Sequence, residues 1–496
     1  MNVPKWVKDA VFYQIFPDRF ARSDVVAKPT NIQPWGFPPT AAHYQGGDLM
    51  GIVERLDYLT ALGVNALYLN PIFQSASNHR YHTHDYFRVD PLLGGDQALR
   101  KLIQKAHSQG IRVILDGVFN HASRGFFQFN DILENGNASP WLHWFKITGW
   151  PLSPYNIEKP ANYESWWDQR QLPKFNTDNP EVREFLMSVA EYWIDEFDVD
   201  GWRLDVPGDI TTAGFWEEFR RRTKTVNSEA YLVGEIWHEA PEWLTGSRFD
   251  ALMNYPLSEA IIAFLTGDRV PQILLEGKAL KPFPRIQAKE FGQRLRHLLD
   301  LYDWEVIQVQ FNLVDSHDTP RLRSLARGDV TTVEMALLLQ MTLPGAPCIY
   351  YGDEIGIRGT TDYDLPFRDT DARWPFPWHD RSLWNEKLLE QYKAAIGLRH
   401  KYPSLREGRF SQEYAEGSCY VFSRGNGGER LIIGLNAGES STEINLNIGE
   451  YFSDGSTFSV VFGATGDAYS VQDGRLTVAI PARTGIVLAP SNQPAD

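Results

Sequence analysis

The most constraining feature of the sequence is a rhythm. Short apolar, β-branched runs recur, each ending in polar or glycine-rich residues: Val11–Phe16, Ala66–Phe73, Val113–Phe119, Gly201–Asp205, Leu232–Trp237, Ala251–Tyr255, Gln310–Ser316 and Ala346–Tyr351. Amphipathic stretches of helical period lie between most of them, at Gly51–Leu62, Gln97–Gln109, Glu181–Phe197, Ala213–Thr223 and Val333–Met341. Buried strands alternating with helices call for a parallel sheet covered on both faces. Eight such units fit a closed (β/α)8 TIM barrel, so the expected class is α/β.

The rhythm breaks twice. After Val113–His121 some 50 residues pass before the next helical pattern near Asn179, and they carry Trp141, Trp144, Trp150, Trp166 and Trp167. A loop of that length is a functional segment or a small inserted domain. Beyond Arg399 short alternating runs at Tyr420–Ser423, Arg430–Leu435, Phe458–Phe462 and Thr477–Ile480 are punctuated by Gly, Asn and Asp, the texture of an antiparallel β-sandwich. The expected division is a barrel over 1–121 and 178–405, an insert after strand 3 over 122–177, and a sandwich over 406–490. Residues Ser491–Asp496 read as a loose tail.

Charge narrows the partners. With 48 basic and 63 acidic residues the net charge is −15 and no basic tract stands out, so the chain should repel polyphosphate; neither nucleic acid nor a membrane is an expected partner. The 43% apolar content excludes disorder. Sixteen tryptophans exceed what packing alone requires. Cys348 and Cys419 have no metal-ligand spacing, and Met1–Ala10 lacks an apolar signal core, so the expected compartment is the cytoplasm.

Residues at the C-terminal ends of barrel strands converge on one site. The third run supplies Asp116, Asn120 and His121, the fourth Arg203 and Asp205, the fifth Glu235, and the seventh His317 and Asp318. Stability gives no reason to gather acids there, because like charges raise one another's pKa. The bland alternative is that each merely caps the helix on its βα loop. Glycoside hydrolysis is the chemistry that uses such a set. Its oxocarbenium-like transition state needs a carboxylate below the anomeric carbon and a protonated acid beside the leaving oxygen. Neighbouring strands can hold the two carboxyls at the ~5–5.5 Å of a retaining double displacement. Asp205, beside Arg203 on the same face, is expected to stay ionised as nucleophile. Glu235, flanked by Trp237 and aliphatic residues, is expected to have a raised pKa and to act as acid, then base.

These segments resemble the four short regions of the α-amylase family of glycoside hydrolases. They occur in order as Asp116-Gly-Val-Phe-Asn-His121, Gly201-Trp-Arg-Leu-Asp205, Glu235-Ile-Trp-His238 and Phe311-Asn-Leu-Val-Asp-Ser-His-Asp318. The resemblance implies Asp205 as nucleophile, Glu235 as acid/base and Asp318 as transition-state stabiliser. It places Asp116, His121, Arg203 and His317 in support and Tyr81 under the reacting glucose. Trp237, His238 and Arg321 complete the expected substrate contacts. The insert then corresponds to the family's domain B.

Leu172-Pro-Lys-Phe-Asn-Thr177 and Trp237-His238 are similar to neopullulanases, cyclomaltodextrinases and maltogenic amylases, which act on α-1,4 and sometimes α-1,6 links. Those enzymes usually carry an N-terminal β-domain that caps a partner's site; here Val11–Phe16 already reads as the first barrel strand. The expectation is an open cleft and a debranching-type hydrolase acting on α-glucan, as a monomer or a homodimer. A cyclomaltodextrinase or an amylomaltase-like transglycosylase would use the same residues. A non-catalytic sugar-binding barrel would gain nothing from a buried glutamate of raised pKa.

Two further patterns bear on ligands. His79, His82 and His84 approach metal-ligand spacing, but Tyr81 and Asp85 in the same segment match substrate positions, and no metal is expected. No cofactor is required. Many relatives hold Ca²⁺ near Asn120 or just after the first strand, yet the loop Arg22-Ser-Asp-Val-Val-Ala-Lys-Pro offers one carboxylate, Asp24, beside Lys28, a poor cage even with help from Asp48, so Ca²⁺ is only weakly supported. Trp166, Trp167, Trp237, Trp374 and Trp378 are candidate sugar platforms, because sugar C–H faces pack on aromatic rings.

Overall fold

The computed structural model describes residues 3–40, 42–271, 274, 284–359, 371–463 and 468–491. Each of the eight apolar runs carries a strand: β1 Phe12–Ile15, β2 Ala66–Leu69, β3 Arg112–Gly117, β4 Gly201–Leu204, β5 Tyr231–Gly234, β6 Ala251–Leu252, β7 Phe311–Asn312 and β8 Ala346–Tyr350. They pair in parallel in the order β6-β5-β4-β3-β2-β1-β8-β7. A parallel bridge from Met253 to Phe311 closes the ring. Strands β1, β2, β4 and β5 are buried at every residue, which is why they read as continuous apolar runs. Gly201 opens β4 at φ +152°, where a Cβ would lie 2.1 Å from the Tyr231 carbonyl oxygen of β5. Only glycine allows that approach.

Eight longer helices surround the ring: α1 Leu49–Leu62, α2 Gly95–Ser108, α3 Pro180–Phe197, α4 Phe215–Val226, α5 Tyr255–Leu265, α6 Ala288–Asp300, α7 Val330–Thr342 and α8 Glu386–Lys401. Asp48, Asn179, Asn254, Asp329 and Asn385 each accept a backbone N–H at the start of one of them, so local capping sets the entry points. Helix α5 is buried on nearly all sides and so carries no amphipathic stripe to read. Between β5 and β6 only the short 3₁₀ turn Pro241–Trp243 stands in for a helix. The run Ala66–Phe73 also divides: after Pro71 a hairpin forms between Phe73–Ser75 and Thr83–Val89, and its tip carries Tyr81.

The tryptophan-rich segment after β3 contains one α-helix, Phe127–Asn135, with short 3₁₀ turns, and is otherwise held by isolated bridges such as His121 to Lys174 and Phe145 to Phe175. Phe126, Phe129, Phe145, Tyr163 and Phe175 form its interior, continuous with that of the barrel. Toward the C-terminus come β9 Phe410–Glu416, β10 Cys419–Arg424, β11 Leu431–Asn436, β12 Thr442–Asn447, β13 Thr457–Phe462, β14 Tyr469–Gln472, β15 Arg475–Ile480 and β16 Thr484–Pro490. They pair antiparallel in the order β9-β10-β11-β16-β13-β14-β15-β12. Side chains alternate: Tyr420, Phe422, Ile433 and Val487 join the barrel core, while Val421, Ile432 and Leu488 pack with Ile444, Leu476 and Val478 in a second core. That alternation makes the two-layer sandwich. No helix among the described residues is long and apolar enough to cross a membrane.

Candidate active site

Parallel register sets the centre of the site. Asp116 on β3 lies beside Arg203 on β4, and Arg203 lies beside Val233 on β5, one step from Gly234 and Glu235. The Arg203 guanidinium, wholly buried, donates from Nη1 to Asp116 Oδ1 at 2.8 Å and to Asp205 Oδ1 at 2.9 Å. Its Nη2 lies 2.8 Å from Glu235 Oε1. One guanidinium therefore hydrogen-bonds Asp116 and Asp205 and stands in ion-pair range of Glu235. Glu235 Oε2 accepts the Val206 N–H at 3.0 Å, and the Trp237 indole N–H reaches Oε1 at 3.3 Å.

The other side of the mouth is tied to this centre through Tyr81 and His317. Tyr68 and Tyr81 both donate to Asp116 Oδ2, at 2.7 and 2.8 Å. Gln14, whose side chain also donates to Asn70, donates to His317 Nδ1 at 2.8 Å, which leaves the proton on Nε2. That Nε2 is 3.0 Å from Asp318 Oδ2 and 2.6 Å from the Tyr81 hydroxyl. Arg373 donates to Asp318 Oδ1 at 3.1 Å. Asp318, with its side chain 23% exposed, is the most open of the three acids, against 9% for Asp205 and 5% for Glu235.

Burial dominates the electrostatics. It pushes Glu235 up to about 7, against the pull of Arg203. It also pushes Asp205 well above the usual carboxylate range, again opposed by Arg203 and reinforced by the neighbouring Glu235. The expectation that Arg203 alone would hold Asp205 down is thus corrected: desolvation at this depth outweighs one guanidinium. Both carboxyls face the same guanidinium and each is pushed upward by burial, so their titration belongs to the pair. Burial also raises Asp318, but His317 and Arg373 outweigh it and leave the group well below its ordinary value. Burial holds His317 down and brings His121 to about 3, so both imidazoles are neutral. The arrangement provides one ionised acid at the rim and, at the floor, two buried carboxyls both pushed above their ordinary range.

The chain matches the model for the α-amylase catalytic domain over residues 14–384. It belongs to the α-amylase family. It is 41% identical over 483 residues to a cyclomaltodextrinase of Geobacillus thermopakistaniensis, covering 97% of this chain and 76% of that one. Neopullulanase 2 of Thermoactinomyces vulgaris is 39% identical over 493 residues, 98% of this chain and 78% of that one. Among solved structures, a debranching enzyme from Nostoc punctiforme superposes with a TM-score of 0.88 at 48% identity, covering 98% of this chain and 99% of that one. The protein is an α-amylase-family glycoside hydrolase, an enzyme of α-glucosidic bonds.

Not every expected contact of this α-amylase-family chain reaches the cluster. Arg321 is fully buried. It donates to Asp353 Oδ1 at 2.7 Å and the Ala372 carbonyl at 3.0 Å, beneath Tyr350 and Tyr351, where no sugar can reach it. Arg373, from the segment ahead of α8, contacts the rim acid instead. His238 sits exposed on the loop after β5 and lines a narrow slot with Leu299 and Tyr302, outside the carboxylate cluster. Four partners were not read from the sequence: Tyr68, Gln14, Asn70 and Arg373. Gln14 and Asn70 left a signal, an amide inside or just past an apolar run; Arg373 left none.

The candidate platforms separate cleanly. Trp378 is covered on both faces, by Phe376 at 4.0 Å and by the Arg55 guanidinium at 4.4 Å, so it is packing and not a platform. Trp237 stacks on Tyr255 at 3.6 Å and 11° and shields Glu235. The Trp374 carbonyl accepts from the Tyr351 hydroxyl at 2.8 Å. Trp166 stacks on His121, and Trp167 stacks on Trp166 with 76% of its surface exposed.

Neither the three histidines nor the loop after β1 forms an ion cage. His79 packs edge-on against His82 at 4.7 Å, while the His84 ring abuts Gly125. In the loop after β1, Asp48 caps α1 and accepts both the backbone N–H and the hydroxyl of Ser23. The Lys28 ammonium lies 3.0 Å from Asp48 Oδ2 and 2.7 Å from the Leu92 carbonyl, so a cation already stands among these oxygens. Among the described residues no three His, Cys, Asp or Glu are grouped to hold a metal.

Proposed function

We propose that this chain is a retaining α-glucan hydrolase that opens α-1,6 as well as α-1,4 glucosidic bonds, with Asp205 as nucleophile and Glu235 as acid/base. The observation that carries this reading is the Arg203 guanidinium, which hydrogen-bonds Asp205 at 2.9 Å and ion-pairs with Glu235 at 2.8 Å while burial lifts both carboxyls above their ordinary range. Lifted to about 7, Glu235 keeps its proton near neutral pH. With that proton on Glu235, an Asp205 oxygen attacks the anomeric carbon as the glycosidic C–O bond breaks and the proton passes to the leaving oxygen. A glycosyl ester on Asp205 results. Water then gives a proton to Glu235 and its oxygen to the anomeric carbon, releasing the sugar with retained configuration.

Asp318, held ionised at the rim, accepts hydrogen bonds from sugar hydroxyls, and neutral His121 and His317 assist. The whole-length likeness to a debranching enzyme favours action at branch points. We further read 1–121 with 178–405 as the catalytic barrel, 122–177 as the insert and 406–490 as the sandwich. Two isolated, buried free thiols, Cys348 and Cys419, favour a reducing, cytoplasmic setting.

The deciding experiment is product chromatography on a linear maltooligosaccharide, pullulan and a branched dextrin, with the anomer of the first product followed by NMR. We expect both bond types to be cut with retention, and Asp205→Asn to lose at least a thousandfold in kcat while still binding maltooligosaccharide, as loss of a group acting in the transition state implies for an effect on the order of 4 kcal/mol. Inverted product, or Asp205→Asn activity within tenfold of wild type, would refute the assignment.

A further inference from the structure

Three rings make a ladder that climbs out of the mouth. His121, buried after β3, lies 5.3 Å from Trp166 at an interplanar angle of 22°, and Trp166 lies 4.7 Å from Trp167 at 14°. The middle rung has no free face. Its indole N–H is also committed, donating to Asp209 Oδ2 at 2.8 Å on the loop after β4. Trp166 is therefore a support that locks the insert to the loop following the nucleophile. The top rung differs. Trp167 is 76% exposed, and no ring among the described residues covers its outer face.

Folding does not account for that pose. An exposed indole adds little to the core, and Trp167 and Asp168 are both held at positive φ, +49° and +57°, a region that non-glycine residues avoid. Aspartate tolerates that region, but a bulky tryptophan kept there to display a bare aromatic face points to a ligand. The ladder starts at a neutral imidazole in the catalytic mouth, and the Asp168 carboxylate next to it is exposed and able to accept from hydroxyls. A neutral ring with one apolar C–H face and hydroxyls at its edge matches both.

We propose that Trp167 is a platform for a glucosyl unit distal to the cleaved bond, so that it sets the preference for longer chains over short ones. This rests on the α-glucan hydrolase reading. Trp166 and His121 hold the platform, and only Trp167 touches that sugar. Removing the ring should weaken the hold on long substrates without slowing the bond-breaking step.

The test is steady-state kinetics of the full chain and of Trp167→Ala and Trp167→Phe on maltotriose and maltoheptaose. A parallel titration of Trp167→Ala in an Asp205→Asn background with maltoheptaose reads binding directly. Trp167→Ala should raise the ratio of KM for maltoheptaose to KM for maltotriose about five- to tenfold with kcat on maltoheptaose within about twofold, and Trp167→Phe should recover most of the loss. An unchanged ratio, or a loss shared equally by both substrates, overturns the platform. If the wild-type chain hydrolyses neither substrate, the hydrolase reading fails; if it hydrolyses them and Trp167→Ala binds maltoheptaose as tightly as its parent, only the platform fails.

Discussion

Replacing Glu235 by glutamine should make the protein more stable at pH 8 and less stable at pH 4. Burial lifts the Glu235 carboxyl from an ordinary 4.5 to about 7. The folded state therefore binds this proton more tightly than the unfolded chain does. That stabilisation is complete below about pH 4.5 and is lost as pH rises toward 7, because a buried group must then ionise. The span corresponds to about 3 kcal/mol. Glutamine never ionises and escapes that loss. It also turns an amide nitrogen toward the Val206 N–H, which now gives its hydrogen bond to Oε2 at 3.0 Å. Losing that bond costs about 1 kcal/mol at every pH. The net is a gain of about 2 kcal/mol at pH 8 and a loss of about 1 kcal/mol at pH 4. With roughly 2 cal/mol/K of unfolding entropy per residue, a chain of 496 residues shifts its Tm by about +2 °C and −1 °C. Differential scanning calorimetry of both proteins from pH 4 to 8 reads the difference. A difference that keeps one sign across the range would show that burial does not raise this carboxyl.

Other outcomes follow from the same geometry. The kcat/KM profile should fall on the alkaline side as pH rises through about 7, because Glu235 must hold its proton to release the leaving group; a flat profile to pH 9 would contradict the acid assignment. Lys28→Met leaves the Asp48 carboxylate without its ammonium in a buried setting and should lower stability by roughly 3 kcal/mol, read as the loss of about 3 °C in Tm. Adding a chelator to the parent chain should not reproduce that loss.

What the sequence could convey depended on whether the determining contacts were local. Asp116, Arg203, Glu235 and Asp318 were legible because each follows an apolar run, and a barrel brings such ends together whatever the loops do. Arg373 was not, since it arrives from a connection whose path no periodicity dictates. The upward push of burial on Asp205 was not legible for a related reason: its neighbour Arg203 is visible two positions away, but the depth at which both sit is a property of the folded mouth. Trp378 and Trp167 look alike in a string of letters. One has Phe376 and Arg55 on its faces and the other has open solvent, a difference made by chain segments far apart. Helix α5, apolar nearly all round, shows the limit of reading stripes.

The Lys28 ammonium between Asp48 and the Leu92 carbonyl has a thermodynamic consequence. A structural ion stabilises in proportion to the logarithm of its free concentration, so a fold that depends on one inherits the ionic supply of its surroundings. A cation carried on the chain escapes that law. Its local concentration is fixed by four methylenes and cannot be diluted, chelated or competed away. The loop after β1, the start of α1 and the 3₁₀ turn at Pro91–Leu93 are thereby joined by a contact whose strength no free metal concentration sets.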